Sequence, residues 1–176
     1  MKTLVTGGVR SGKSTAAERL LADAGQVTYI ATGPRSDDPD WAERIAAHRS
    51  RRPSHWSTVE TSDLPGALAR LEGPGLVDCL GTWLTATLDD LEVWEAPQPH
   101  WEPTLAQRLQ DVVEAWAECP HELVAVTNEV GWGVVPEHRS GRIFADWLGR
   151  LNQQVAASSD RVLLVVAGQV LAVKQP

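Results

Sequence analysis

The chain has 176 residues, about one domain in length, and its 22% charged and 43% hydrophobic residues exclude a disordered polymer. No apolar run approaches the ~20 residues of a membrane span, the longest being 162–167, and two cysteines cannot build a disulfide framework. The net charge of −7 argues against a nucleic-acid partner, but it averages residues 1–55, at nine Lys/Arg against six Asp/Glu, with 56–176, at seven against seventeen.

The first predicted element is a strand at 3–6 that enters a turn where Gly7, Gly8 and Arg10 interrupt it. That start does not read as a signal peptide, so the chain is expected to be cytoplasmic. A helix follows, with Ala16, Ala17, Leu20 and Leu21 on its inner face, and 27–31 is the second strand. Asp38-Pro39-Asp40-Trp41 carries helix-start chemistry, and Pro53 ends that helix near Ser50. Further strands are expected at 76–79, 123–127 and 161–167, with 170–173 as an edge hairpin partner. Helices are expected over roughly 81–92, 104–118 and 138–158. The last shows Ile143, Trp147, Leu151 and Val155 at four-residue spacing. The Pro-rich stretch 93–103 breaks the pattern and reads as a surface loop or lid. Strands alternating with helices predict an α/β fold, a mostly parallel sheet with helices on both faces, in a single domain over 1–176. Eight Trp against one Tyr and one Phe carry no functional reading.

Gly7-Gly8-Val9-Arg10-Ser11-Gly12-Lys13-Ser14 matches G-x-x-x-x-G-K-S in full, with a strand entering and a helix leaving. Glycines let backbone N–H groups turn inward, and the helix N-terminus adds partial positive charge, so the loop is an anion cradle for a nucleoside triphosphate. Lys13 is expected at the β/γ phosphates and Ser14 at Mg²⁺. A second magnesium contact usually comes from a carboxylate at the end of a nearby apolar strand. Asp78 is the candidate, with a turn-initiating Asp as the alternative. Arg44, His48 and Arg51 would share one face of the helix ending near Ser50, with Arg52 at its end. A neutral imidazole among guanidinium groups can attack phosphorus, although a His on a charged helix is more often a solvated surface residue.

The segments LVTGGVRSGKS (4–14), YIAT (29–32), ERIAAHRSRRP (43–53), VDCLGTWL (77–84) and the run beginning VTNEVGWGVVPEHR (126–168) cover nearly the whole chain in collinear order. Together they resemble the bifunctional adenosylcobinamide kinase/adenosylcobinamide-phosphate guanylyltransferase family. The resemblance implies a P-loop NTPase-like, RecA-like fold. It implies phosphorylation of adenosylcobinamide by ATP or GTP with Mg²⁺, then GMP transfer from GTP through a guanylylated histidine. His48 inherits that nucleophilic role, beside Lys13 as the other catalytic residue. Guanine-nucleotide contacts carry over to Gly7 through Ser14, to Thr32, Gly33 and Pro34, to Arg49, Ser50, Arg51 and Arg52, and to Glu60; Asp78 fits the acid that helps hold magnesium. Where some relatives have two adjacent histidines, this chain has Ala47 before His48. Asn128 and Glu129 either fix the following glycine turn, make a subunit contact or act in catalysis. The resemblance further implies a homotrimer, while the apolar runs and net charge predict no membrane and no nucleic-acid partner. A small-metabolite P-loop kinase without guanylyltransferase activity is the alternative. A nucleotide switch is disfavoured, since Asn128-Glu129 lacks the Lys of N-K-x-D.

Overall fold

A run such as Leu-Val-Ala-Val at 123–126 has no polar face, so a strand built from it must be covered on both sides. The computed structural model, which describes residues 1–33 and 53–176, meets that demand with one seven-stranded sheet between two helical layers. The strands are β1 (Lys2–Gly7), β2 (Thr28–Ala31), β3 (Ser57–Glu60), β4 (Gly75–Asp78), β5 (Leu123–Asn128), β6 (Arg161–Val166) and β7 (Gln169–Lys174). The helices are α1 (Lys13–Leu20), α2 (Leu64–Ala69), α3 (Leu80–Asp90), α4 (Gln98–Glu118) and α5 (Arg139–Ala157). The sheet order is β3-β2-β4-β5-β1-β6-β7, parallel throughout except that β7 returns antiparallel to β6.

Alternation along each strand divides the core in two. Val5, Tyr29, Leu76, Val124 and Leu163 pack with Ala17 and Leu21 on the α1 side. Leu4, Ile30, Val77, Ala125 and Val162 face the thicker layer built from α2, α3, α4 and α5. Trp83, Trp101, Trp116 and Trp147 fill that second layer, with Trp101 and Trp147 meeting edge to face at 6.1 Å. These four tryptophans therefore have a packing role, whereas Trp132 is exposed.

Register sets where chemistry can occur. Ala31 pairs with both Glu60 and Asp78, and Gly7 pairs with both Asn128 and Val165, so all these strand ends share one edge. In a parallel sheet that carboxyl edge is where ligands bind.

Two elements depart from the sequence expectation. The stretch 93–103 is not a lid: 98–103 is the start of α4, and Trp101 is buried beneath it. Pro97 and Pro99 are tolerated because the first-turn N–H groups have no intrahelical acceptor. Residues 93–96 are pinned by Arg139 at the start of α5, which donates to the carbonyls of Val93 (3.0 Å), Trp94 and Ala96 (2.8 Å). The other departure is the pair β3 and α2, which carried too little apolar pattern to register. β3 is exposed along its length, and α2 has six residues, although Asp63 caps it onto Gly66 N–H at 2.9 Å. The helix expected from Asp38 to near Ser50 lies outside the described residues. No helix among the described residues is long and apolar enough to cross a membrane.

Candidate active site

β1 delivers the cradle from the middle of the sheet. A Cβ on Gly7 would stand 2.5 Å from the Val165 carbonyl oxygen and 2.7 Å from Ser11 Oγ, so only glycine fits where the loop leaves the strand. The turn closes with Ser11 N–H donating to Gly8 C=O at 3.2 Å, and Gly12 takes a left-handed φ of 93°. From the far side, Gly168 in the β6–β7 turn donates its N–H to the Ser11 carbonyl at 2.8 Å. The loop is therefore buttressed from a segment more than 150 residues away in sequence.

α1 then starts at Lys13 with no side-chain cap and no acid in its first turn. Its leading N–H groups and the positive end of its dipole are left for an anion. Lys13 Nζ lies back over the loop, donating to Gly8 C=O at 3.1 Å. Burial lowers its pKa below the ordinary value, with Cys79 and Asp78 pulling the other way. Val9 and Arg10 are exposed at the loop tip.

The second half of the site is the end of β4. Asp78 projects on the α1 side, as Leu76 does, and its Oδ2 accepts a hydrogen bond from the Tyr29 hydroxyl at 2.7 Å. A cis peptide joins Asp78 to Cys79. The Cys79 thiol is pushed up by burial first and by Asp78 second, against hydrogen bonds from Thr82 and Gly81. Thr32 is buried, and its hydroxyl donates to Cys79 C=O at 2.6 Å beside Thr82 Oγ1 at 2.9 Å. Thr32, expected among the nucleotide contacts, thus spends its side chain tying the end of β2 to the β4–α3 junction. Gly33 follows it, half-buried, and Glu60 lies exposed on the same edge at the end of β3.

These donors suit magnesium. Ser14 offers a hydroxyl at the head of α1 and Asp78 a carboxylate close enough to act on Lys13, both hard oxygen donors. Among the described residues there is no cluster of three or more His, Cys, Asp or Glu.

Glu129 takes the turn-fixing role of the alternatives open to it. Its Oε1 accepts the N–H groups of Val130 at 3.1 Å and Gly131 at 3.0 Å, while its own N–H donates to Gly7 C=O at 3.1 Å. Asn152 of α5 holds the neighbouring backbone, donating to Asn128 C=O at 3.0 Å. Pro34, Arg44, His48, Arg49, Ser50, Arg51 and Arg52 lie outside the described residues. Tyr29, Thr82, Gly168 and Arg139 escaped the sequence reading. Only Tyr29 offered a signal there, as the single tyrosine of the chain.

The model of the family described as cobinamide kinase / cobinamide phosphate guanyltransferase matches residues 3–173. The chain belongs to that family. The bifunctional adenosylcobalamin biosynthesis protein CobU of Escherichia coli K12 is 44% identical over 177 aligned residues, covering 96% of this chain and 97% of that protein. Its counterpart CobP of Pseudomonas aeruginosa is 40% identical, covering 99% and 98%. Among solved structures, an ATPase of a type III secretion system has a TM-score of 0.58 at 12% identity, over 93% of this chain and 50% of that one. The assembled ATPase EscN of enteropathogenic E. coli has a TM-score of 0.54 at 14% identity, over 94% and 43%. These likenesses concern fold alone, and they agree with a RecA-like P-loop architecture for this member of the cobinamide kinase/guanyltransferase family.

Proposed function

We propose that this chain phosphorylates the aminopropanol hydroxyl of adenosylcobinamide with a nucleoside triphosphate, then transfers GMP from GTP onto the new phosphate, giving adenosylcobinamide-GDP and pyrophosphate. The observation that carries the reading is the family match over residues 3–173. The cradle geometry supports it, because Lys13 and the uncapped head of α1 face the position a triphosphate takes. Magnesium on the Ser14 hydroxyl and Asp78 carboxylate would supply neutralisation of phosphate charge.

In the first step the substrate hydroxyl forms an O–P bond to the γ-phosphorus, the bond to the β–γ bridging oxygen breaks to release the nucleoside diphosphate, the hydroxyl proton is lost, and Lys13 offsets charge on the transferred group. In the second, His48 forms an N–P bond to the α-phosphorus of GTP and the bond to pyrophosphate breaks, with pyrophosphate leaving into the cradle. An oxygen of cobinamide phosphate then attacks the same phosphorus, and the N–P bond breaks to free His48. Nucleotide contacts are proposed at Gly7 to Ser14, at Thr32, Gly33 and Pro34, at Arg49 to Arg52, at Glu60 and at Asp78. Residues 1–176 are proposed to act as one domain, in the cytoplasm, as a homotrimer. A corrinoid exceeds what one such domain readily encloses, and exposed Val170, Leu171 and Val173 on edge strand β7 support association.

The deciding experiment is incubation with α-labelled GTP and magnesium. Wild type is expected to take an acid-labile, base-stable label that His48→Ala does not. Cobinamide phosphorylation without any protein label would leave a metabolite kinase alone.

A further inference from the structure

We propose that Tyr29 is a positioning residue for the metal-binding carboxylate of Asp78, an inference that rests on the assignment of Asp78 to magnesium. Tyr29 sits on β2 with 2% of its surface exposed, among Val5, Leu76 and Val126 on the α1 side of the sheet. Apolar packing alone would be served by phenylalanine. A buried phenol needs a partner, and here the partner is the functional carboxylate itself, at 2.7 Å.

The register explains why this reach works. Tyr29 is opposite Leu76, and Ala31 is opposite Asp78, so the two side chains share a face but stand two residues apart along parallel strands. Two residues of strand span roughly 6.6 Å, which a para-hydroxyl can bridge and a short side chain cannot. An O–H donor on one carboxylate oxygen is a charge-assisted hydrogen bond that restrains the orientation of the group. That orientation is set next to Lys13, on which Asp78 already acts electrostatically. The aspartate is thus braced from the core before any ligand arrives, as partners behind metal ligands commonly are.

The test is Tyr29→Phe in the full chain, with Asp78→Asn alongside. Equilibrium binding of a fluorescent GTP analogue is measured without magnesium and across a Mg²⁺ titration. Tyr29→Phe should leave metal-free nucleotide affinity unchanged while raising the half-saturating Mg²⁺ concentration about tenfold, the low end of losses from removing such partners. Turnover at saturating Mg²⁺ should stay within about threefold of wild type. An unchanged Mg²⁺ titration in Tyr29→Phe, beside a shifted one in Asp78→Asn, overturns the role of Tyr29 alone. Unchanged titrations in both overturn the assignment of Asp78 and this proposal with it.

A second readout needs no substitution. Tyr29 is the one tyrosine, so 3-fluorotyrosine gives a single ¹⁹F resonance. It should move when Mg²⁺ joins the nucleotide complex, and a resonance indifferent to Mg²⁺ overturns the proposal.

Discussion

Gly7→Ala tests how tightly the cradle is built. The new methyl would lie 2.5 Å from the Val165 carbonyl oxygen, where ordinary contact begins at 3.4 Å, so about 0.9 Å must be found. Val165 cannot supply it, being held on β6 between β1 and β7 with its own side chain fully buried. Ser11 Oγ, 2.7 Å from the methyl, can rotate only within a buried site where it has no hydrogen-bond partner among the described residues. The displacement therefore falls on Gly7 itself and passes to Gly8, whose carbonyl holds Lys13 Nζ.

A misplacement of about 1 Å in a positioned catalytic group costs about 100-fold, or ~2.7 kcal/mol in the barrier. Overpacking of this kind also costs about 2 kcal/mol of stability, a fall in Tm of about 4–8 °C for a chain of this length. The assay is kcat/KM for cobinamide phosphorylation, paired with thermal unfolding. Gly149→Ala on α5 is the control, because its methyl meets nothing within 4 Å, and it should raise stability by up to ~1 kcal/mol. Gly7→Ala with kcat/KM within twofold of wild type and an unchanged Tm would refute the close-packing argument.

Lys13→Met should abolish phosphorylation yet make the unliganded protein more stable than wild type at pH 7. The folded state holds the Lys13 proton more weakly than the unfolded chain does, so wild type regains that stability as pH rises through the lowered pKa towards 10.5. The gap in Tm should accordingly close above that pH, and a gap constant from pH 7 to 11 would contradict the sign. Arg139→Ala should cost about 2 kcal/mol by leaving the carbonyls of 93–96 without their shared donor, read as a lower denaturation midpoint in urea. Arg139→Lys should not restore it, because one ammonium lacks the fork that spans three acceptors.

The parallel sheet and the cradle were legible because both are local. Near-continuous apolar runs mark buried strands, and the eight residues from Gly7 to Ser14 carry their own strand and helix on either side. What stayed hidden depends on register between distant strands. Tyr29 and Asp78 are 49 positions apart, and nothing along the chain says that β2 lies beside β4 with those two on one face. Thr32 depends on the same register: the chain places it just after β2, and only tertiary contact shows its hydroxyl held by the Cys79 carbonyl. The loop expectation at 93–103 holds for 93–97 and fails from Gln98 onward, because a proline can close a helix or open one, and here Pro97 and Pro99 open α4 while Pro103 is carried inside it. The buried Trp101 decides which applies.

The charge balance carries a physical lesson about such sites. A chain of net charge −7 can hold a triphosphate because the attraction does not come from the net charge. Acids beyond about 8 Å are screened at physiological salt. Within that distance act the backbone N–H groups and the helix end, worth roughly half an elementary charge and fixed by Gly7 and Gly12. Half-buried Lys13 adds a full charge that solvent screens poorly, and the burial that strengthens it also lowers its pKa. Asp78 then matters twice. It helps keep that lysine protonated and, braced by Tyr29, offers the carboxylate that a divalent ion would share with the phosphates. Removing either charge alters the field at the other, so the lysine and the aspartate are one electrostatic unit built from the head of α1 and the end of β4.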